Sequence, residues 1–256
     1  HYSPVFPNQS WARDGSYISY HLNFDRPEVT RACKGRRQWG RQRGLYRRVV
    51  EQALDRELET HVAPAYHRLL EPADLDVKQR RVWAQFLLSQ IVRTPTFMKY
   101  EVAASRHFPE NAPPDNDRVG CQDCGDLPWV YERRWLVLLA HWEDYFVRTD
   151  NPVLLTGFIE EPETCIYYPL SPLLCFVASS MPSDWQPERE ERHLERIIGL
   201  QLEKGQAHCF NFYLARSAER SLIVHPHHDG EIARTMFEDV LGTYPQPPFP
   251  LHRPDA

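Results

Sequence analysis

The sequence predicts a mixed α+β chain: a helical N-terminal half packed on a small, mainly antiparallel sheet drawn from the C-terminal half. Three observations carry that reading. Between Leu45 and Val92 the apolar residues recur at helical spacing. Beyond Trp142 they fall instead into short runs of strand length, and the breaks between those runs are Pro, Asn and Asp, the residues of tight turns. The 256 residues are expected to form a single domain over 1–256, near the upper size that one core organises. Within it, 44–142 is expected to be helical, 144–180 strand-rich, 188–215 helical and 221–224 a final strand.

Each element has its own justification. Pro4, Pro7 and Pro27 break any helix in residues 1–27, although Tyr17–Leu22 alternates as a short strand does. Residues 31–48 hold Arg31, Lys34, Arg36, Arg37, Arg41, Arg43, Arg47 and Arg48, which read either as a solvated helix face or as a phosphate-binding patch. Leu45, Val49, Val50, Leu54, Leu58, Val62, Tyr66, Leu69 and Leu70 mark a helix that Pro64 kinks or splits. A second helix runs from about Asp76 to Val92 and stops near Thr94, because Pro95 disfavours helix in the residue before it. A third is expected over Phe97–His107, followed by a polar loop over 109–128 and a buried helix over Trp129–Trp142. Strands follow at Tyr145–Thr149, Val153–Leu155, Cys165–Tyr168 and Leu173–Val177. A long amphipathic helix is expected over Glu188–Ala215, broken near Gly205, then the strand Ser221–Val224 and an irregular Pro-rich tail after Gly242.

A net charge of −5 and a pI near 6.2 argue against a nucleic-acid footprint over the whole surface, while leaving a local basic patch open. Contact with nucleic acid or a nucleotide through segment 31–48 is the partner this allows. No run of about 18 apolar residues occurs, so no transmembrane helix and no membrane partner are expected. The opening His1-Tyr2-Ser3-Pro4 lacks the charged and apolar regions of a signal peptide. The six cysteines are scattered rather than framed, which reads as reduced thiols and a cytoplasmic protein.

Several motifs fall in a recognisable order: His1-Tyr2-Ser3-Pro4, Leu58-Glu59 followed by Ala63-Pro64, Arg93-Thr94-Pro95, Phe146 to Val153, Tyr168-Pro169-Leu170-Ser171-Pro172, and Asn211. Together they resemble domain-of-unknown-function family 4238, found mostly in bacteria, over roughly residues 1–224. The chain departs from that pattern in having Arg148-Thr149 where Thr-Ser is common, and in its cysteine-bearing loop around 121–124. The resemblance supplies a frame for the site residues and no activity.

The candidate chemistry lies in the same motifs. Arg148-Thr149-Asp150-Asn151 stands at a strand end before Pro152. There Asp and Asn serve either as a turn or, with Asp150 as general base or metal ligand, as the mouth of a site. Arg93 closes an apolar helix. It answers the helix dipole, or it offers a planar fork to Glu59, to Asp150 or to a substrate phosphate or carboxylate. Glu59 follows the core position Leu58, so a half-buried carboxylate there needs a partner, and Arg93 is the obvious one. His1 is an acid–base group near neutral pH or a satisfied structural imidazole. Cys121 and Cys124 have the spacing of half a zinc knuckle, so zinc or another divalent metal is the cofactor considered. His225, His227, His228 and Asp229 read as an exposed loop before a metal site.

Three functions follow. The first is a hydrolase or nuclease-like enzyme on an anionic, phosphate-bearing substrate, of which a toxin or defence effector is one form. In it His1, Glu59 and Asp150 are catalytic, and Arg93, Arg148, Thr149, Asn151 and Asn211 bind substrate. The second is a non-catalytic RNA- or ligand-binding module, and the third a protein-interaction domain.

Overall fold

The computed structural model describes residues 3–23, 26, 28–35, 38–40, 58–95, 97, 127–181, 196–230 and 240. In chain order these contain α1 (Val5–Asn8), β1 (Ser16–Asn23), β2 (Glu28–Gly35), α2 (Thr60–Leu69), α3 (Val77–Val92), α4 (Leu127–Tyr131) and β3 (Trp135–Leu139). There follow β4 (Arg148–Thr149), β5 (Leu154–Leu155), β6 (Ile166–Ser171), β7 (Leu174–Ala178), β8 (Ile198–Gln201), α5 (Gln206–Ser217) and β9 (Ser221–Val224).

The strands make two sheets, one of four in the order β2-β1-β9-β4 and one of five in the order β5-β6-β7-β3-β8. All pairings are antiparallel except β3 with β8. This corrects the expected architecture: the class is α+β, but β1 and β2 occupy the N-terminal half and pair along their whole length, Ser16 with Gly35 through Asn23 with Glu28. Where the basic run read as a solvated helix face or a phosphate-binding patch is described, residues 31–35 belong to strand β2 and 38–40 form a turn. As an edge strand exposed on both sides, β2 carries no apolar alternation to betray it. The helix expected over 129–142 is the short α4 followed by β3. Trp135–Leu139 lies between β7 and β8, so its apolar run is continuous, as in any strand covered on both faces. Of the helix expected over 188–215, residues 188–195 lie outside the described residues, and the rest holds β8 and the start of α5, separated by a turn at Gly205, whose φ of +86° only glycine adopts without strain.

Helix α3 shows how local chemistry sets an element. Asp76 accepts the Gln79 amide proton at 2.8 Å while Gln79 Oε1 accepts that of Asp76 at 3.2 Å, a reciprocal cap. Helices α2 and α3 then cover the five-stranded sheet. Trp83 packs on Phe86, Tyr168 and Phe176, and Phe176 on Trp135, with ring centroids 5.1–5.5 Å apart. Each such fully buried aromatic contributes about 1.5–3 kcal/mol. Helix α5 joins the sheets, setting Leu214 and Ala215 against Leu22, Val147 and Leu222, and Ala207 against Leu138 and Val177. The opposite face of the four-stranded sheet buries Trp11, Tyr17, Trp39 and Ile223.

Among the described residues no helix is long and apolar enough to cross a membrane. Cys33, Cys165, Cys175 and Cys209 are free thiols.

Candidate functional site

The α2–α3 hairpin brings its open ends together. Glu59 stands on the turn entering α2 and Arg93 caps the end of α3. Both Nη atoms of Arg93 lie 3.0 Å from a single oxygen, Glu59 Oε1, so Oε2 takes no part in the pair. The Arg93 side chain is 2% exposed and that of Glu59 18%. The pairing of Glu59 with Arg93 weighed from the sequence is present, and it reaches solvent on the carboxylate side only.

A second buried guanidinium lies close by. Arg148, on β4, is fully buried, and it donates from Nε to Asn8 Oδ1 (3.0 Å), from Nη1 to the Pro169 carbonyl (2.8 Å) and from Nη2 to the Tyr168 hydroxyl (2.5 Å). These acceptors are all neutral. Burial raises the Tyr168 hydroxyl above its usual range, Arg148 and Arg93 oppose the rise, and Glu59 adds to it. The two arginines and the carboxylate therefore all act on the Tyr168 phenol. Asn8 continues it, donating to the Pro4 carbonyl at 2.7 Å and to Ser3 Oγ at 3.1 Å. The Ser3 amide donates to the Gly40 carbonyl at 3.2 Å. A Cβ on Gly40 would lie 2.5 Å from that of Ser3, so only glycine admits this approach. The N-terminal segment is thus pinned to the body from Ser3 onward; His1 lies outside the described residues.

Asp150 sits elsewhere and is differently committed. It is 1% exposed, and its carboxylate accepts from the backbone amides of Glu219 (2.9 Å), Arg220 (3.1 Å) and Ser221 (3.0 Å) and from Ser221 Oγ (3.1 Å). Burial pushes its carboxyl up to about 7, the Glu219 charge adds to the rise, and the hydrogen-bond donors oppose it. Thr149 donates its hydroxyl to the Asn151 carbonyl at 2.5 Å, and Asn151 is half-buried. Asn211, fully buried on α5, donates to the Tyr145 carbonyl at 2.6 Å and accepts from the Val147 amide at 2.9 Å. Its amide substitutes for a strand partner where the approach to β4 has none.

Of the sequence-predicted site residues, the structure brings Glu59 and Arg93 into contact and Arg148 near them. It places Asp150, Thr149, Asn151 and Asn211 in turn and strand-end hydrogen bonds. Cys121 and Cys124 lie outside the described residues, as do Arg36, Arg37, Arg41, Arg43, Arg47 and Arg48 of the basic run. Arg31 does not stand free, since it pairs with Asp229. Among the described residues no group of three or more His, Cys, Asp or Glu is arranged to hold a metal ion.

With Glu59 and Arg93 placed, the comparison with known families bears directly on them. Residues 1–117 match the family described as protein of unknown function (DUF4238). Over that stretch the chain resembles this family. The matched residues include His1, Glu59 and Arg93 and end before Arg148 and Asp150. No curated protein and no solved structure matches the chain.

Asn8 and Tyr168 were not singled out as site residues by the sequence, although both complete the shell around Arg148. Tyr168 lay within a quoted motif. Asn8 gave no signal of its own, since Gln9 and Ser10 beside it are polar too and only the fold shows which of the three is buried.

Proposed function

We propose that this chain is a hydrolase or nuclease-like enzyme acting on a phosphate-bearing substrate, with its reacting groups at the Glu59–Arg93 pair. One observation carries the reading: the buried guanidinium fixes one oxygen of a half-buried carboxylate and leaves the other outside the pair. A carboxylate so held can take a proton from water with Oε2, and the adjacent guanidinium can neutralise charge growing on a phosphate oxygen. Glu59 is then the general base and Arg93 the electrostatic partner. His1, two residues before the pinned Ser3, is the proton shuttle in this proposal, and the basic run 31–48 draws in the anionic substrate. Asp150 is assigned a structural part, because its oxygens are already occupied by amides and a hydroxyl.

The alternative is a non-catalytic RNA- or ligand-binding module. It is favoured by Arg148, a buried cation whose hydrogen-bond acceptors are all neutral, which suits a pocket that recognises charge without using it. A panel of single-stranded RNA, single-stranded DNA and nucleoside phosphates distinguishes the two. For an enzyme, Glu59→Gln lowers kcat about 10²-fold or more with the fold intact, and Arg93→Lys weakens substrate binding as well as rate. For a binding module there is no turnover, affinity falls with salt, and Glu59→Gln leaves it unchanged. Full turnover by Glu59→Gln would remove Glu59 from the mechanism. Growth arrest on expression, relieved by Glu59→Gln, is the additional result expected of a toxin.

A further inference from the structure

Four imidazoles gather at the end of β9. His225, His227 and His228 belong to the tight turn Pro226–His228 that follows the strand, and His208 reaches in from α5. The His225 ring lies 5.0 Å from that of His227 and 6.0 Å from that of His228. His228 stacks on Tyr145 at 4.3 Å and 14°, and His208 meets the same tyrosine edge-on at 5.6 Å. The Tyr145 ring is thus covered by two imidazoles from different elements.

The turn depends on one particular protonation state. His225 is its N-terminal cap, and its Nδ1 accepts the His227 amide proton at 3.2 Å. That bond needs a lone pair, so a doubly protonated imidazole cannot make it. The next amides follow from the same turn: His228 donates to the His225 carbonyl at 2.8 Å and Gly230 to that of His228 at 3.0 Å.

We propose that residues 225–230 are an acid-released latch, closed while His225 is neutral and opened when its Nδ1 is protonated. Closed, the turn holds His228 on Tyr145 and positions Asp229, which accepts from the Tyr20 hydroxyl of β1 at 2.6 Å and pairs with Arg31 of β2. The latch therefore ties the turn after β9 to the β1–β2 hairpin and to the loop before β4.

The charged surroundings favour release rather than resist it. Among the described residues, His225 faces His227, His228 and Arg13, all cationic or able to become so. His228 faces His225, His227 and His208, and the phenol of Tyr145. The nearest carboxylates are already engaged. Asp229 is held by Arg31 and Tyr20, and Asp144 accepts the Gly205 amide at 2.6 Å and lies 3.4 Å from His208 Nε2. Burial and these neighbours lower both His225 and His228 below the usual imidazole value of 6.5. A lowered histidine stabilises the closed state fully above that value and loses the contribution as pH falls through its folded value.

Hydrogen exchange of the full chain, corrected for intrinsic rates, tests this at the amides of residues 227–230. Protection in the wild type is expected to fall about tenfold or more between about pH 7.5 and about pH 5. His225→Asn keeps a capping acceptor without a titrating ring, so its protection is expected to hold at both pH values. His225→Ala is expected to lose protection at both. Equal protection of the wild type at the two pH values would overturn the latch, as would an identical pH-dependent loss in His225→Asn. Exchange of the α3 amides serves as the control: a matching loss there would show acid unfolding of the whole chain and equally overturn it.

Discussion

Asp150 and Glu59 are two carboxylates in polar motifs of similar appearance, and the fold uses them in opposite ways. Asp150 is deep and saturated, taking three backbone amides and one hydroxyl from residues 219–221. Glu59 is half-buried and engaged by one guanidinium on one oxygen. A carboxylate whose lone pairs all hold the backbone fixes a turn, and proton transfer through it would break that turn. A carboxylate held on one side keeps a direction in which it can act. The difference separates a structural acid from a candidate catalytic one more sharply than burial or residue type does.

The largest expected effect breaks the comparison on the Asp150 side. Asp150→Ala leaves the amides of Glu219, Arg220 and Ser221 buried without their acceptor, at a cost of about 3–5 kcal/mol. At about 2–4 °C per kcal/mol, the midpoint of thermal unfolding should fall by about 6–20 °C. Glu59→Gln is expected to move it by far less, since the amide oxygen can still accept from Arg93. A small loss in Asp150→Ala, within the range of Glu59→Gln, would show that the turn does not need its carboxylate.

How much of this was legible in the sequence depends on where the partner lay. Helix α3 could be read because its start and stop are written within four residues of each end, in Asp76, Gln79 and Pro95. The β9 strand could be read from Ser221-Leu222-Ile223-Val224 because short β-branched runs bounded by polar residues have few other uses. The β3 run Trp135–Leu139 could not, because an apolar residue at every position erases the period that distinguishes strand from helix. Nor could β2, because its exposed edge position leaves charged residues on both faces. The Glu59–Arg93 pair was accessible because both polar residues interrupt apolar helical segments and so call for each other. The role of Asp150 was not, because its donors lie about 70 positions further along the chain. No local pattern announces which amides will arrive at a strand end.

A pH measurement sharpens the same contrast. An acid raised from 3.8 to about 7 by burial holds its proton longer in the folded chain than in the unfolded one. Its contribution is full below about pH 4 and is lost as pH rises to about 7, then stays constant. The stability of the wild type relative to Asp150→Asn should therefore fall across that window and level off above it. Were the four donors to outweigh burial, the carboxyl would stay ionised, and the difference would be flat from about pH 4 upward. Thermal unfolding of the two proteins at matched pH distinguishes these outcomes.

The smallest predicted change tests how the Asp150 carboxylate is divided among its donors. Ser221 contributes twice, through its amide at 3.0 Å and its hydroxyl at 3.1 Å, and only the hydroxyl is removed in Ser221→Ala. One neutral donor on a buried carboxylate is worth about 1 kcal/mol net, so the midpoint should fall by about 2–4 °C. The hydroxyl also favours the ionised form, so its loss raises the carboxyl further and moves the upper end of the pH window upward. Both changes should vanish in Asp150→Asn, where no charge remains for the hydroxyl to stabilise. If Ser221→Ala costs as much in that background as in the wild type, the hydroxyl acts through packing, and the carboxylate is held by the backbone amides alone.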